Sequence, residues 1–419
     1  MKIQNLASRF GPAIITACVV LGAGSLLVSA NVGAKYGYKL IWMLAVTGLL
    51  MGTYVTMAAR IGTVGGATPC TLIAQRLGRI PAAIIGINLC LVCAAFQFAN
   101  NLAFAAAAQT LIPDIDATWI LLALNTLIII FIFTAKKIYH LLERTMKFMV
   151  GLMLICFLLN LIAAGPNLLA ILKGLLPNIP QGLSLKLPQK INGSISDPLI
   201  LVASLLGTTF SVAGAFYQGN LVREKGWTQK DYNRGIGDSI VGVTVLTVIS
   251  AIIMITTATV IPGKPASDIG TLAQSLEPLL GTIANVAFCI GLLAVAMNPF
   301  LINAMIGGGI LADGLGKGAK LSDPWPKRFT VLVLLVGMTV AMLILHTPVK
   351  KINAIIFGQA LTVICNPLLA ASLLWLANRK DIMGKHKNKT VMNILGGFGF
   401  VVVLFMAFRV LYRIILQLT

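Results

Sequence analysis

The chain has 419 residues, of which 58% are hydrophobic and 11% charged, and its mean hydropathy of +0.93 lies far from the balance of a domain dissolved in water. A formal net charge of +20 would suit a nucleic-acid partner in a soluble protein, but here the basic residues sit in short clusters between long apolar runs. A soluble enzyme and a nucleic-acid-binding domain are both excluded, and even the basic stretch from Lys385 to Lys389 carries no Phe, Tyr or Trp for base stacking.

The apolar runs are long enough to cross a hydrocarbon core of roughly 30 Å, which takes about 20 helical residues. They are uninterrupted Leu, Ile, Val and Ala stretches without the alternation of a barrel strand, so helices are expected rather than a β-barrel. In chain order the predicted helices cover 11 to 34, 38 to 59, 80 to 109, 117 to 135 and 145 to 164, then 197 to 222, 239 to 262, 283 to 311, 328 to 346, 351 to 377 and 390 to 416. The first run lacks a cleavage-type flank and reads as a retained helix, not a signal peptide. The grouping is a single transmembrane domain over 1–419, with five helices in 11–164, five in 197–377 and an extra one at 390–416.

Loop charge sets the expected orientation. Arg60, Arg76 and Arg79, then Lys136, Lys137, Arg144 and Lys147, then Arg379, Lys380, Lys385, Lys387 and Lys389 fall on one side. Asp114 with Asp116, the segment Gly165 to Ser196, and the segment around Lys264 and Asp268 fall on the other. This is the positive-inside bias, and it places the N-terminus in the cytoplasm and the C-terminus outside a prokaryotic inner membrane. The seven cysteines lie in or beside apolar segments and suggest no disulfide framework; Cys90 and Cys93 form a C-x-x-C on a membrane helix with no second pair, a packing feature rather than a zinc or redox site.

Two glycine-rich centres stand out. The first helix carries Leu21-Gly22-Ala23-Gly24-Ser25, and the sixth carries Gly207-Thr208-Thr209-Phe210-Ser211-Val212-Ala213-Gly214. Small residues at such spacing serve close helix packing in membranes, or they let a helix unwind and bring backbone to a ligand. Their matching places in the two halves favour broken helices around a midplane site, as in inverted-repeat transporters.

The stretch Gly33-Ala34-Lys35-Tyr36-Gly37-Tyr38-Lys39-Leu40-Ile41-Trp42, followed by Ala58-Ala59-Arg60-Ile61-Gly62, resembles the first-to-second-helix signature of the NRAMP metal transporters. Gln359 to Pro367 and then Asn378-Arg379-Lys380-Asp381-Ile382-Met383-Gly384 resemble that family's tenth helix and the loop after it. The resemblance implies an all-α integral membrane protein of about eleven helices in the LeuT arrangement, a 5+5 inverted repeat with helices 1 and 6 broken. It also implies divalent-cation transport by alternating access.

The family's metal ligands are the Asp and Asn of a D-P-G-N motif in the first helix and the Met of an M-P-H motif in the sixth. Aligned on the flanking glycines and tyrosines, these positions hold Gly22, Ser25 and Ser211, and the Pro and His after the Met become Val212 and Ala213. A second His of the sixth helix falls at Gln218, the acidic pair of the third helix at Gln97 and Asn100, and the tenth-helix Gln at Cys365, beside Asn366. The candidate substrate site is therefore Gly22, Gly24, Ser25, Thr208, Ser211, Gly214, Cys365 and Asn366, with no conventional metal ligand, and Gln97, Asn100 and Gln218 stand at former proton-pathway positions.

A bare Mn²⁺ or Fe²⁺ needs anionic or imidazole ligands to offset its desolvation, and thioether sulfur adds preference for softer metals. The matched positions supply none, and all twelve Asp and Glu are expected in loops or at helix ends. What remains is neutral and polar: Ser25, Gln97, Asn100, Asn101, Thr208, Thr209, Ser211, Tyr217, Gln218, Asn298 and Asn303. Two cargoes suit such a lining, a largely hydrated cation such as Mg²⁺, or a small polar, zwitterionic or anionic solute held at half-helix N-termini. Amides do not exchange protons near neutral pH, so coupling by the family's route is not expected; for Gln97, Asn100 and Asn101, plain interhelical hydrogen bonding is the competing role.

His140 and His386 fall in basic loops and His346 near a helix end, without metal-binding or triad spacing, and no P-loop or G-x-S-x-G occurs. No enzymatic activity and no cofactor are expected. The partners are the lipid bilayer and a small ion or solute, with no nucleic acid; a membrane sensor or scaffold that kept the fold and lost transport is the alternative from another class.

Overall fold

A computed structural model of the chain describes residues 21–112, 114–134, 158–159, 161–191, 194–263, 281, 284–320 and 322–418, without the side chains of residues 23, 284–292 and 294–298. Helix α1, Ala23–Tyr36, turns through the 3-10 segment Gly37–Leu40 into α2, Ile41–Val64. Gly37 has φ +60°, a left-handed conformation that a residue without Cβ adopts freely, and it ends α1 sharply. A short helix absent from the sequence expectation follows, α3 at Pro69–Leu77, opened by the Thr68 cap on the Thr71 N–H and by Pro69 in its first turn. Next come α4, Arg79–Leu111, and α5, Ala117–Thr134. The fifth expected helix and the first half of the first lie mostly outside the described residues, as do the charges at Lys136, Lys137, Arg144, Lys147, Lys264 and Asp268 and the imidazole of His140.

The segment read as an outer loop holds a short helix, α6 at Leu168–Gly174, capped by Asn167, and an antiparallel hairpin of β1, Gln189–Ile191, and β2, Ser194–Ser196. Beyond it the sixth span is broken: α7, Ile200–Thr209, stops at Phe210, and α8, Val212–Glu224, restarts after Ser211. Then follow α9, Tyr232–Val260; α10, Ala284–Gly314; α11, Pro324–Leu345; α12, Lys351–Asn378; the single turn α13, Lys380–Met383; and α14, Thr390–Leu418. Among the described residues, eight helical stretches are long and apolar enough to cross a membrane; the first, Gly24–Val64, carries both of the first two expected spans.

These helices are apolar on both faces. Ile84, Ile87 and Leu91 of α4, Leu127 and Ile130 of α5, and Ile394, Phe398 and Val401 of α14 are exposed, which suits acyl chains and not water. Inside, each of the four described spans of the first half packs on its counterpart five spans later: α1 on α7, α2 on α9, α4 on α10 and α5 on α11. A pseudo-two-fold axis relating the halves demands such isologous contacts, and the arrangement is the LeuT type expected from the sequence. With no hydrophobic drive between helices in lipid, close approach decides the packing, and glycines provide it. A Cβ on Gly314 of α10 would lie 2.5 Å from the Ala82 carbonyl oxygen of α4, and one on Gly48 of α2 would lie 2.5 Å from the Thr247 hydroxyl of α9.

The placement expected for the acidic residues is corrected in part. Helix α9 begins seven residues before the predicted start at 239, and this draws Asp238, fully buried, into its interior. Asp313, in the last turn of α10, is buried as well. Asp197, just after the hairpin, is 2% exposed and pairs with Arg409 of α14, itself 1% exposed, at 3.0 Å. Arg409 also donates to the carbonyls of Leu185 and Lys186, so one guanidinium fastens the stretch read as a loop onto the last helix.

Removing one member of a buried ion pair leaves the other charge uncompensated, at a cost of about 3–5 kcal/mol. Asp197→Ala is therefore expected to lower the thermal midpoint of the detergent-solubilised protein sharply, measured by the unfolding of the purified variant. At the opposite end, Arg379 and Arg76 hold the exposed Asp381 carboxyl down to about 2. A carboxyl depressed in the folded state favours that state above the ordinary carboxylate range near about 4, and the contribution is lost as pH falls through the depressed value. Protection of the amides in the loop 379–389, taken relative to their intrinsic exchange at each pH, is expected to hold down to that range and to fall below it as pH approaches the depressed value.

Candidate substrate site

The site is built where α1 begins and where the sixth span leaves the helical conformation. Gly22 is extended, with φ −85° and ψ 171°, and α1 starts after it, so the N–H groups of its first turn have no helical acceptor. Asn100 of α4 supplies one: its Oδ1 lies 3.5 Å from the Gly24 N–H, at the outer limit of a hydrogen bond. In the sixth span Phe210 (φ −98°, ψ 58°) and Ser211 (φ −76°, ψ 92°) interrupt the ladder, and the Ser211 hydroxyl accepts from the Gly214 N–H at 3.3 Å to cap α8. Two half-helix N-termini, each facing a neutral side-chain oxygen, thus stand at matching places in the two halves.

Helix α12 closes the gap between them. The Gln359 amide lies directly against Gly24, and a Cβ on Gly207 of α7 would lie 2.6 Å from the Thr362 hydroxyl and 3.0 Å from Val363. Pro367 removes the helical N–H that would otherwise bond the Val363 carbonyl, which adds a backbone acceptor beside α7. Gly22 is walled by Asn100 and Pro299: a Cβ there would lie 2.9 Å from Asn100 Oδ1 and 3.0 Å from the Pro299 ring. The carboxamide of Asn100 occupies the space into which a side chain at position 22 would grow.

Several buried oxygens around this junction have no hydrogen-bond partner: Ser25 Oγ, Thr209 Oγ1 and Gln359 Oε1. A buried polar group left unmade costs about 1–3 kcal/mol, so such a set marks a place prepared for something polar. Thr208, by contrast, turns its hydroxyl back onto the carbonyls of Ser204 and Leu205 and offers little to a ligand.

The remaining candidates scatter. Gln97 donates to the Phe300 carbonyl at 3.0 Å, and Asn101 accepts from Asn125 of α5 at 2.9 Å, so both serve scaffold packing. Gln218 of α8 donates to Asp238 of α9 at 3.3 Å. Tyr217 is buried, Asn303 and Asn366 are buried with both amide atoms unpartnered, and the side chain of Asn298 lies outside the described residues. Cys365 is half-buried, and the α12 residue that reaches Gly24 is instead Gln359, about a turn and a half earlier. Among the described residues no three His, Cys, Asp or Glu side chains converge as a metal cluster. His346 bonds the Met342 carbonyl of its own helix, and His386 stacks on Tyr232 at 4.3 Å.

Residues 13–413 match the family model described as natural resistance-associated macrophage protein-like. The chain belongs to the Nramp family. It is 23% identical to the divalent metal cation transporter MntH of Deinococcus radiodurans over 94% of its own length and 87% of that protein, and 23% identical to the MntH of Staphylococcus aureus over 94% and 88%. Among solved structures it superposes on a manganese transporter of Eremococcus coleocola with a TM-score of 0.78 at 19% identity, covering 99% of this chain and 87% of that one. Mhp1, a nucleobase-cation-symport-1 family transporter solved closed with bromovinylhydantoin bound, gives a TM-score of 0.59 at 10% identity, over 96% and 92%. This chain is thus a multi-pass membrane protein of an Nramp transporter family, with the fold shared more widely.

Gln359, Asp238, Asp313 and the pair Asp197–Arg409 escaped the sequence reading. Gln359 opened the segment that carried the tenth-helix resemblance, but a one-dimensional register does not tell which side of a helix meets α1. Two outcomes are expected at the junction. Gly24→Leu drives a side chain into the Gln359 amide, an overpacking of about 1–3 kcal/mol at a place with nowhere to relax, and flux is lost while membrane insertion persists. Gly22→Asp alone gains no Mn²⁺ binding by calorimetry, because Asn100 fills the required volume, whereas Gly22→Asp with Asn100→Ala gains it.

Proposed function

We propose that this Nramp-family protein is an alternating-access carrier of a hydrated, hard divalent cation such as Mg²⁺, not of bare Mn²⁺ or Fe²⁺, and that it works without coupled protons. The relatives' divalent-metal transport supplies the class of cargo, and one observation carries the change: the volume beside Gly22 holds the Asn100 carboxamide, and the acceptors left over nearby are the neutral oxygens of Ser25, Thr209 and Gln359. An ion that keeps its inner waters presents only hydrogen-bond donors outward, which matches unpartnered acceptor oxygens; a bare transition ion has no anion, imidazole or thioether here. An anionic solute is less well suited, because Asn100 and Ser211 already place oxygens at the two half-helix N-termini.

On this reading two bodies, each drawing helices from both repeats, 11–164 and 197–377, rock around the junction at Gly22–Ser25 and Phe210–Gly214. The clusters at Arg60, Arg76, Arg79 and Arg379–Lys389 face the cytoplasm of a prokaryote, and the C-terminus lies outside. Gln97 and Asn100 neither take up nor release protons, and Gln218 is an amide as well. The test is flux into liposomes from purified protein: Mg²⁺ accumulates at a rate that is flat between about pH 6 and pH 8, the range in which imidazoles titrate, and Mn²⁺ neither competes nor binds. Mn²⁺ uptake driven by a pH gradient would overturn the proposal. If so, Asp238 beside Gln218 is the carboxylate to neutralise first, as Asp238→Asn.

A further inference from the structure

Two bodies are discernible in the packing. Helices α1, α2, α7, α8 and α9 pack on one another, α4, α5, α10 and α11 form a second set, and direct contact of α8 with the second set is thin. Helix α3 belongs with the second set, packed chiefly on α4 and α10. Alternating access requires the bodies to part on one side at a time, so the ties between them at the ends of the bundle decide which side is closed.

At the end that carries Arg60, Arg76 and Arg79, two consecutive residues of α8 meet the second body. A Cβ on Gly219 would lie 2.5 Å from the Pro69 ring of α3, and on its other side Gly219 is packed against Ala58 and Gly62 of α2. Asn220 donates through Nδ2 to Asp313 Oδ2 at 3.4 Å. The Asp313 carboxylate is held from the α3 side by the Thr71 hydroxyl at 2.8 Å and by the Thr68 side chain, while Arg79 of α4 donates to the Asp313 backbone carbonyl at 3.0 Å and not to the carboxylate. Asp313 is 3% exposed and Asn220 6%, and Asn220 Oδ1 is buried with no partner.

The two halves of this contact differ in strength. The short bond to Thr71 lies within one body; the long bond to Asn220 crosses between bodies, and half of the Asn220 amide is unsatisfied while it persists. A buried carboxylate fixed to the scaffold, with one stretched donor from the moving half-helix, is a contact built to be made and broken. It lies nine residues beyond Ser211, about 13 Å along α8 at 1.5 Å per residue, so rigid tilting of α8 about the break moves it most.

We infer that Asp313 is the positioning residue of the cytoplasmic gate: through Asn220 it holds the inner half of the broken sixth span against α3 and α10, and this bond must open for cargo to leave on that side. The inference rests on the alternating-access reading above but not on the identity of the cargo. Cys70, next to Thr71 and within the field of the Asp313 charge, is wholly buried and its thiol is pushed up by that burial, so it reports opening without any transported ion.

The experiment uses the full chain with the other cysteines replaced by alanine, in proteoliposomes, with a membrane-impermeant maleimide added on the side of the basic loops. Asn220→Ala, which leaves the Asp313–Thr71 bond intact, and Asp313→Asn are each expected to raise the rate of Cys70 labelling about tenfold, the population shift that follows loss of a hydrogen bond to a charged acceptor. Thr71→Val, which loosens α3 alone, is expected to raise it less than Asn220→Ala. In the complementary variant, Asn220→Cys with Asp313→Cys and Cys70→Ala, disulfide formation is expected to stop flux and reduction to restore it. Unchanged Cys70 protection in folded Asn220→Ala protein, or full flux through the cross-linked variant, would overturn the gate. Absence of flux with every divalent ion, alongside faster Cys70 labelling, would instead fault the cargo and leave the gate standing.

Discussion

Lipid offers no hydrogen bonds, and this constraint shapes the rest of the molecule. Every N–H and C=O placed in the hydrocarbon must find a partner within the protein, which is why the apolar runs are helices and why leaving the helix at Gly22 and again at Phe210–Ser211 is costly. The cost is met locally, by the Asn100 oxygen at the start of α1 and the Ser211 hydroxyl at the start of α8. Those two interruptions are tolerable only because they face protein, and facing protein requires that α4, α7 and α12 come close enough to wall them in. The glycines at 22, 24 and 207 are the means, each set against a side chain of a neighbouring helix.

Close approach therefore serves two ends that the sequence alone leaves undivided. At Gly48, Gly62 and Gly314 it is packing: backbone or hydroxyl of a neighbour fills the place of the missing side chain, and the contact lies within one body. At Gly22 and Gly24 it is site construction, because what fills the place is a carboxamide able to exchange its hydrogen bonds with a ligand. The glycine patterns at 22–25 and 207–214 are the same motif for both purposes, and only the chemistry of the opposing atom distinguishes them.

The order of the spans, their apolar character and the break in the sixth were legible because each depends on residues near one another in sequence: runs of Leu and Ile, and Gly207 through Gly214 in one stretch. Asp238 was misplaced because the stretch before it sets the polar Asn233 and Arg234 beside Gly235 and Gly237 and reads as a loop by composition, while packing of α9 on α2 extends the helix to Tyr232. The meeting of Gln359 with Gly24 and of Arg409 with Asp197 depends on tertiary contacts between residues more than two hundred positions apart, and composition carries no signal for them. Arg409, near the end of the last span, is turned inward onto the carbonyls of Leu185 and Lys186.

Buried charge stands away from the two breaks. The junction between the two breaks holds neutral oxygens, but α8 carries two amides on its lower half, Gln218 and Asn220, and each is bonded to a buried carboxylate on a different neighbour, Asp238 of α9 and Asp313 of α10. Helix α8 is thirteen residues long, short enough to move as a rigid rod, with Ser211 at the end beside the site and these amides toward the other. Any tilt that repositions Ser211 must stretch or relax the bonds at the far end, and any change of hydrogen bonding there is returned to the cap at Gly214. The α9 partner lies in the same body as α8 and resists little; the α10 partner lies in the other body, so it is through Asn220 that the state of the closed end and the shape of the site are tied together.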